Sequence, residues 1–177
     1  MNDRFDSGPL ADVELRTDGA RSTLVFVRQL RHAPAKVWDA LTDPAQLPQW
    51  APFTADRTLA RLGDVTLIMT DGDTEVPLPG LVTRCEPPFD LEYSWGDDIL
   101  HWHLEPAAGG TKLTLHHTTD DPTMVPKVAA GWHLCLAVAD RLLAGQPVGA
   151  IVGEKAMDYG WQDLHDAYAD KMGIAPG

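Results

Sequence analysis

Residues 32–50, HAPAKVWDALTDPAQLPQW, read as a helix that stops almost as soon as it has started. A strand feeds it, Asp43-Pro44 interrupts it, a second short apolar turn follows, and Trp50 closes the stretch. Proline has no backbone N–H to continue a helix and disfavours helical geometry in the residue before it, so the chain must turn at Asp43. What that turn is for depends on the segments on either side.

Upstream, VELRTDGARSTLVFVRQL reads as two strands around an Asp18-Gly19 turn, the second alternating Leu24, Phe26, Arg28 and Leu30 against Val25, Val27 and Gln29. Residues 1–10 are polar, contain Gly and Pro, and are expected to be a loose tail. Downstream comes a train of short β-like runs, RTLARL, DVTLIMT, GLVTRCE, DLEYSW, DILHWHLE and TKLTLHHTT, separated by turn clusters such as DGD, EPP, GDD and PAAGG. Successive strands with short turns make an antiparallel meander. From about Pro122 the period becomes helical: Val128, Trp132, Cys135, Ala139 and Leu142 recur until Gly145 and Pro147 stop the run. Trp161, Leu164, Tyr168 and Met172 predict a last helix ending at Gly173. The fold class is therefore α+β. A helix of about 20 residues, roughly 30 Å long, covers one face of the sheet, and a strongly curved sheet leaves a cavity beneath it.

A chain of 177 residues, 44% of them hydrophobic, is the size of one domain with its own core. The 26 acidic residues outnumber the 14 basic ones, giving a net charge of −12 that repels phosphate backbones and anionic membrane surfaces, so nucleic acid is not an expected partner. Cys85 and Cys135 lie far apart without CxxC spacing and read as reduced core thiols. No apolar run approaches the ~20 residues of a membrane span, and the N-terminus lacks the basic and apolar regions of a signal peptide. A cytoplasmic location is expected.

RQLRHAPAKVWDALTDPAQLPQW, CEPPFDLEYSWGDDILHWHLEPAAGGTKLTLHHTTDD and AAGWHLCLAVADRLLAG, in this order over roughly residues 20–145, resemble the START-like, birch-pollen-allergen-like helix-grip superfamily, SRPBCC. Within it they are most similar to bacterial relatives of the heat-shock-protein-90 ATPase activator domain. The resemblance implies a seven-stranded curved sheet wrapped on a long C-terminal helix, with the two short helices set in a V at the cavity entrance; the Asp43-Pro44 break makes that V. It implies a helix-grip domain over 11–145 and a C-terminal extension over 146–177. It also implies a binder of apolar small molecules, with some relatives acting as cyclases, dehydratases or hydrolases and others as chaperone cofactors.

Strand parity sorts the candidate site residues. Leu100, Trp102 and Leu104 form one face of DILHWHLE, leaving His101, His103 and Glu105 outside; Leu113, Leu115 and His117 face inward from TKLTLHHTT, with His116 outside. Trp50, Phe53, Leu67, Met69, Tyr93, Trp95, Trp102, Leu104, Leu115, His117, Trp132 and Cys135 are expected to line an apolar interior suited to a lipid-like or polyketide-like ligand. For any one of them, ordinary core packing is the alternative. His117 and His133 are the candidates for acid–base chemistry, each with a hydrogen-bonded structural histidine as its alternative. Arg28 shares the Leu24 and Phe26 face, either as an internal charge or as a group leaving at the strand end. His101, His103 and His116 lie close together on the outer face with only Glu105 nearby, and DGDTE offers Asp71, Asp73 and Glu75 without a calcium-loop pattern. Neither set is assigned a metal, and no cofactor motif is present. The last helix is expected to pack at the periphery through Trp161 and Tyr168, to leave the cavity intact, and to support a homodimer.

Overall fold

The computed structural model describes residues 7–71 and 74–174. Eight antiparallel strands form one curled sheet: β1 (Asp12–Asp18), β2 (Arg21–Leu30), β3 (Phe53–Ala55), β4 (Gly63–Asp71), β5 (Thr74–Glu86), β6 (Asp90–Trp95), β7 (Asp98–Ala107) and β8 (Gly110–Thr119). Their spatial order is β1-β2-β8-β7-β6-β5-β4-β3. Three α-helices accompany them: α1 (Pro34–Thr42), α2 (Val125–Leu143), which crosses the concave face, and α3 (Trp161–Met172). This is the α+β helix-grip arrangement, with one strand more than the resemblance implies. No helix among the described residues is long and apolar enough to cross a membrane.

The Asp43-Pro44 turn forms as its chemistry demands. Asp43 caps α1 in extended geometry (ψ 119°), its Oδ1 accepts the Ala45 N–H at 2.9 Å, and its carbonyl accepts from Gln46 and Leu47. The second arm of the V is a short 3-10 turn, Leu47–Gln49, rather than an α-helix. Trp50 closes the arm by donating its indole N–H to the Ala40 carbonyl at 2.9 Å.

Parity holds across the central strands. In β7 and β8, Leu100, Trp102, Leu104, Leu113, Leu115 and His117 are buried, while His101, His103, Thr114 and His116 lie on the convex face. Register explains the agreement, because Leu100 opposes His117, Trp102 opposes Leu115 and Leu104 opposes Leu113, so each inward pair shares one side of the sheet. Pro77 and Pro79 sit within β5 because that strand enters the β6 ladder only from Val82 onward; on that edge the Pro79 carbonyl accepts the Gly96 N–H at 3.3 Å.

RTLARL, residues 57–62, is not a strand. It is a loop wound around the Arg57 side chain, whose Nη1 donates to the carbonyls of Thr58 and Arg61 and whose Nη2 donates to Gly63, so its carbonyls are satisfied by a guanidinium instead of a neighbouring strand. The strand preceding β4 is the three-residue β3 instead. Of DGDTE, Asp73 lies outside the described residues.

Helix α2 is buried nearly all round, because the sheet covers one face and α3 the other. Tyr168 of α3 is fully buried at this second interface. Its hydroxyl accepts the Ala11 N–H at 2.8 Å and donates to His133 Nδ1 at 2.6 Å, which leaves His133 Nε2–H to donate to Ser7 Oγ at 3.0 Å. Burial, reinforced by the nearby Arg28 charge, pushes His133 down from 6.5 to about 4. Below pH 6.5 the unfolded chain gains a proton here that the folded chain refuses until the pH nears 4, so stability falls as pH drops through that window. The loss is on the order of 3 kcal/mol; His116, also lowered mainly by burial, acts in the same direction. Urea midpoints at neutral and mildly acidic pH should show that slope in the native protein and a much flatter one in His133→Gln, and an unchanged slope would refute the assignment.

Candidate functional site

The space beneath α2 is filled rather than open. Trp102 meets Trp50 edge-on at 6.2 Å and Trp132 at 5.3 Å; Trp95 lies 6.2 Å from Trp132 and 4.9 Å from Phe53, which in turn meets Tyr93 at 6.2 Å. The Trp102 indole donates to the Tyr93 hydroxyl at 3.2 Å inside this cluster, where burial raises the phenol well above its ordinary pKa. Leu67, Leu104 and Leu115 are fully buried in the same core and Met69 packs against it. Trp50, Phe53, Leu67, Tyr93, Trp102, Leu104 and Leu115 thus belong to one core cluster with Met69 against it, and none of them borders the pocket described next.

That pocket, of about 350 Å³, opens at one flank of the aromatic cluster. Trp95 at the end of β6 and Pro52 before β3 form one side. Helix α2 supplies Lys127, Val128, Gly131, Trp132 and Cys135, positions spaced so that they share one helical face. The segment after α2 closes the third side with Ile151, Val152, Ala156, Met157 and Trp161. Of the residues expected to line a cavity, Trp95, Trp132 and Cys135 do so here. The C-terminal segment, expected to leave the cavity alone, is one of its walls: residues 147–152 form no helix, a 3-10 helix follows over Gly153–Tyr159, and Ile151 and Val152 line the pocket together with α2. Burial holds the Cys135 thiol up at about 12, so it stands in the wall as a neutral group.

The two candidate histidines do not meet. His117 is fully buried behind the pocket wall: Nδ1 accepts the Trp132 indole N–H at 2.9 Å and Nε2–H donates to Asp98 Oδ2 at 2.7 Å. With both ring nitrogens engaged, it fixes the Trp132 ring that forms part of the wall. His133 faces the opposite side of α2, toward Tyr168 and Ser7. Arg28 leaves the interior at the strand end, donating to the carbonyls of Pro9 and Ser7 at 2.9 and 3.1 Å.

On the convex face, His101 Nε2–H and His103 Nδ1–H both donate to Asp90 Oδ1, at 2.9 and 3.1 Å, and His116 stacks on His101 with centroids 5.6 Å apart. Burial acts to raise Asp90, and the two histidine hydrogen bonds outweigh it and hold the carboxyl below its usual range. Asp90 opposes His103 in the β6–β7 register, a partner the sequence reading missed. Among the described residues no group of His, Cys, Asp and Glu is arranged to hold a metal ion.

Lys127, Gly131 and the residues of 151–161 were also missed as site residues. One signal was present: Gly131 interrupts an otherwise apolar helical run without serving as a cap, which marks a packing or functional need for the missing side chain.

A sequence model of the family described as "Activator of Hsp90 ATPase homolog 1-like protein" matches residues 31–144, from the end of β2 to the end of α2, and the chain belongs to that family. Among solved structures, CalU16 from Micromonospora echinospora is 25% identical, with 90% of this chain and 95% of that one covered at a TM-score of 0.67. The AHSA1 protein of Silicibacter pomeroyi is 23% identical over 69% of this chain and 97% of its own, with a TM-score of 0.60. A conserved protein of unknown function from Enterococcus faecalis is 19% identical over 90% of this chain and 89% of its own, with a TM-score of 0.67. No curated protein matches the sequence.

Proposed function

We propose that this protein is a small-molecule binding module whose ligand is largely apolar, lipid-like or polyketide-like, and sits in the pocket between Trp95, α2 and the 151–161 segment. The observation that carries this reading is the wall itself: beside Trp95, Trp132 and Trp161 stand Val128, Ile151, Val152 and Met157, in a space of the size that holds one small molecule. The fold commonly serves that purpose, though one fold hosts many functions. Turnover is the weaker reading, since His117 has both nitrogens committed and His133 faces away. Activation of a chaperone ATPase, which the family's name suggests, is a third, tested by adding the protein to such an ATPase. Native mass spectrometry of the freshly purified protein is expected to show a bound small molecule that is lost on denaturation. Native spectra of the bare chain alone, unchanged after incubation with apolar ligands, would overturn the reading.

A further inference from the structure

Building on that reading, we infer that the ligand is an amphipathic anion: an aromatic or polycyclic body with one carboxylate, sulfonate or phenolate that meets Lys127. The charge distribution is the first argument. In a chain with 26 acidic and 14 basic residues, the described residues of this wall include no carboxylate and one ammonium. Lys127 makes no hydrogen bond and no ion pair with another described residue, whereas Lys36 and Lys171 each donate to a backbone carbonyl. Asp121, whose carboxylate Lys127 influences weakly, is already engaged by the Thr123 amide and hydroxyl at 3.0 and 2.6 Å. A lone ammonium at the border of an apolar pocket has its stem against hydrocarbon and its charge free for a ligand's acidic group.

A second observation is independent of charge. Trp95 belongs to the same wall, and its indole Nε1–H is shielded from water with no acceptor among the described residues. Buried donors are rarely left without a partner. The other wall indole whose bond is defined, that of Trp132, donates to His117. An acceptor oxygen on a ligand that displaces the side chains now covering this N–H would satisfy it, and an anion with several oxygens or a conjugated carbonyl offers one. A purely hydrocarbon ligand would answer neither group.

A matched pair of fluorescent probes isolates the charge: anilinonaphthalene sulfonate, and N-phenylnaphthylamine, which has the same ring system without the sulfonate. Titrated into the full chain, the sulfonate is expected to bind about five- to tenfold more tightly, and Lys127→Gln to remove that difference by weakening the sulfonate far more than the neutral probe. Added salt should weaken only the sulfonate. Equal or tighter binding of the neutral probe, or a Lys127→Gln variant that binds both probes as the native protein does, would overturn the anion inference and leave the apolar pocket standing. If neither probe binds, or both bind a Gly131→Leu variant undiminished, the pocket reading itself fails and this inference with it.

Discussion

Replacing Gly131 by leucine is expected to abolish ligand binding, by at least about a hundredfold, while raising the melting temperature by roughly 2–4 °C. Two facts set these opposite signs. Gly131 lies in the interior of α2 and lines the pocket, and a Cβ built on it meets no atom within 4 Å. A side chain there projects into open space instead of into a neighbour, so the fold accepts it. Glycine inside a helix costs about 0.8–1.0 kcal/mol relative to alanine, and leucine is nearly as good a helix former, so the substitution recovers most of that difference. The added isobutyl group then occupies volume in a pocket of about 350 Å³ that an incoming ligand needs. Gly131→Ala is the control, with the same gain in stability and only partial loss of binding. Calorimetric titration with a ligand identified by mass spectrometry, beside thermal melts of all three proteins, reads both effects. A stabilised Gly131→Leu variant with native affinity would show that the ligand lies elsewhere.

The same residue marks what could be read from the sequence and what could not. Strand parity is a geometric property of the backbone, so the burial of Trp102, Leu104, Leu113 and Leu115 and the outward placing of His101 and His116 followed from alternation alone. The Asp43-Pro44 break and the positive-φ glycine ending α3, Gly173 at 70°, were legible for similar local reasons. Whether an inward aromatic lines a cavity or fills it is a different kind of question. It depends on the summed volumes of Trp50, Phe53, Tyr93, Trp95, Trp102 and Trp132 against the curvature of the sheet, and no local pattern encodes that sum. Partners distant in sequence were equally hidden: Asp98 is brought to His117 by strand pairing, and Ile151 and Val152 reach α2 only after the chain has turned back. The small and β-branched residues of 147–152 disfavour a helix and none forms there, but that composition is silent about where the segment docks.

Tyr168→Ala is expected to destabilise the protein by about 3–5 kcal/mol and to weaken ligand binding although Tyr168 does not touch the pocket. The side chain is fully buried and its ring packs 6.0 Å from Phe26 and 5.6 Å from His133. Removing it opens a cavity between α2 and α3. It also leaves the Ala11 N–H and His133 Nδ1, both served by the one hydroxyl, without partners inside the protein. Tyr168→Phe separates the contributions: it keeps the ring and deletes the hydroxyl, at an expected cost of about 1–3 kcal/mol. The link to function runs through the chain order. Trp161, seven residues earlier on the same helix, and Ile151 and Val152 before it form the pocket's third wall, and Tyr168 is the deepest-buried large side chain fixing that helix to α2. Loosening the anchor lets the wall move away, so affinity should fall in the order native, Tyr168→Phe, Tyr168→Ala, in step with urea midpoints measured on the same proteins. Native affinity in a folded but strongly destabilised Tyr168→Ala would show that the C-terminal segment stays seated without this anchor, or that the pocket does not need its third wall.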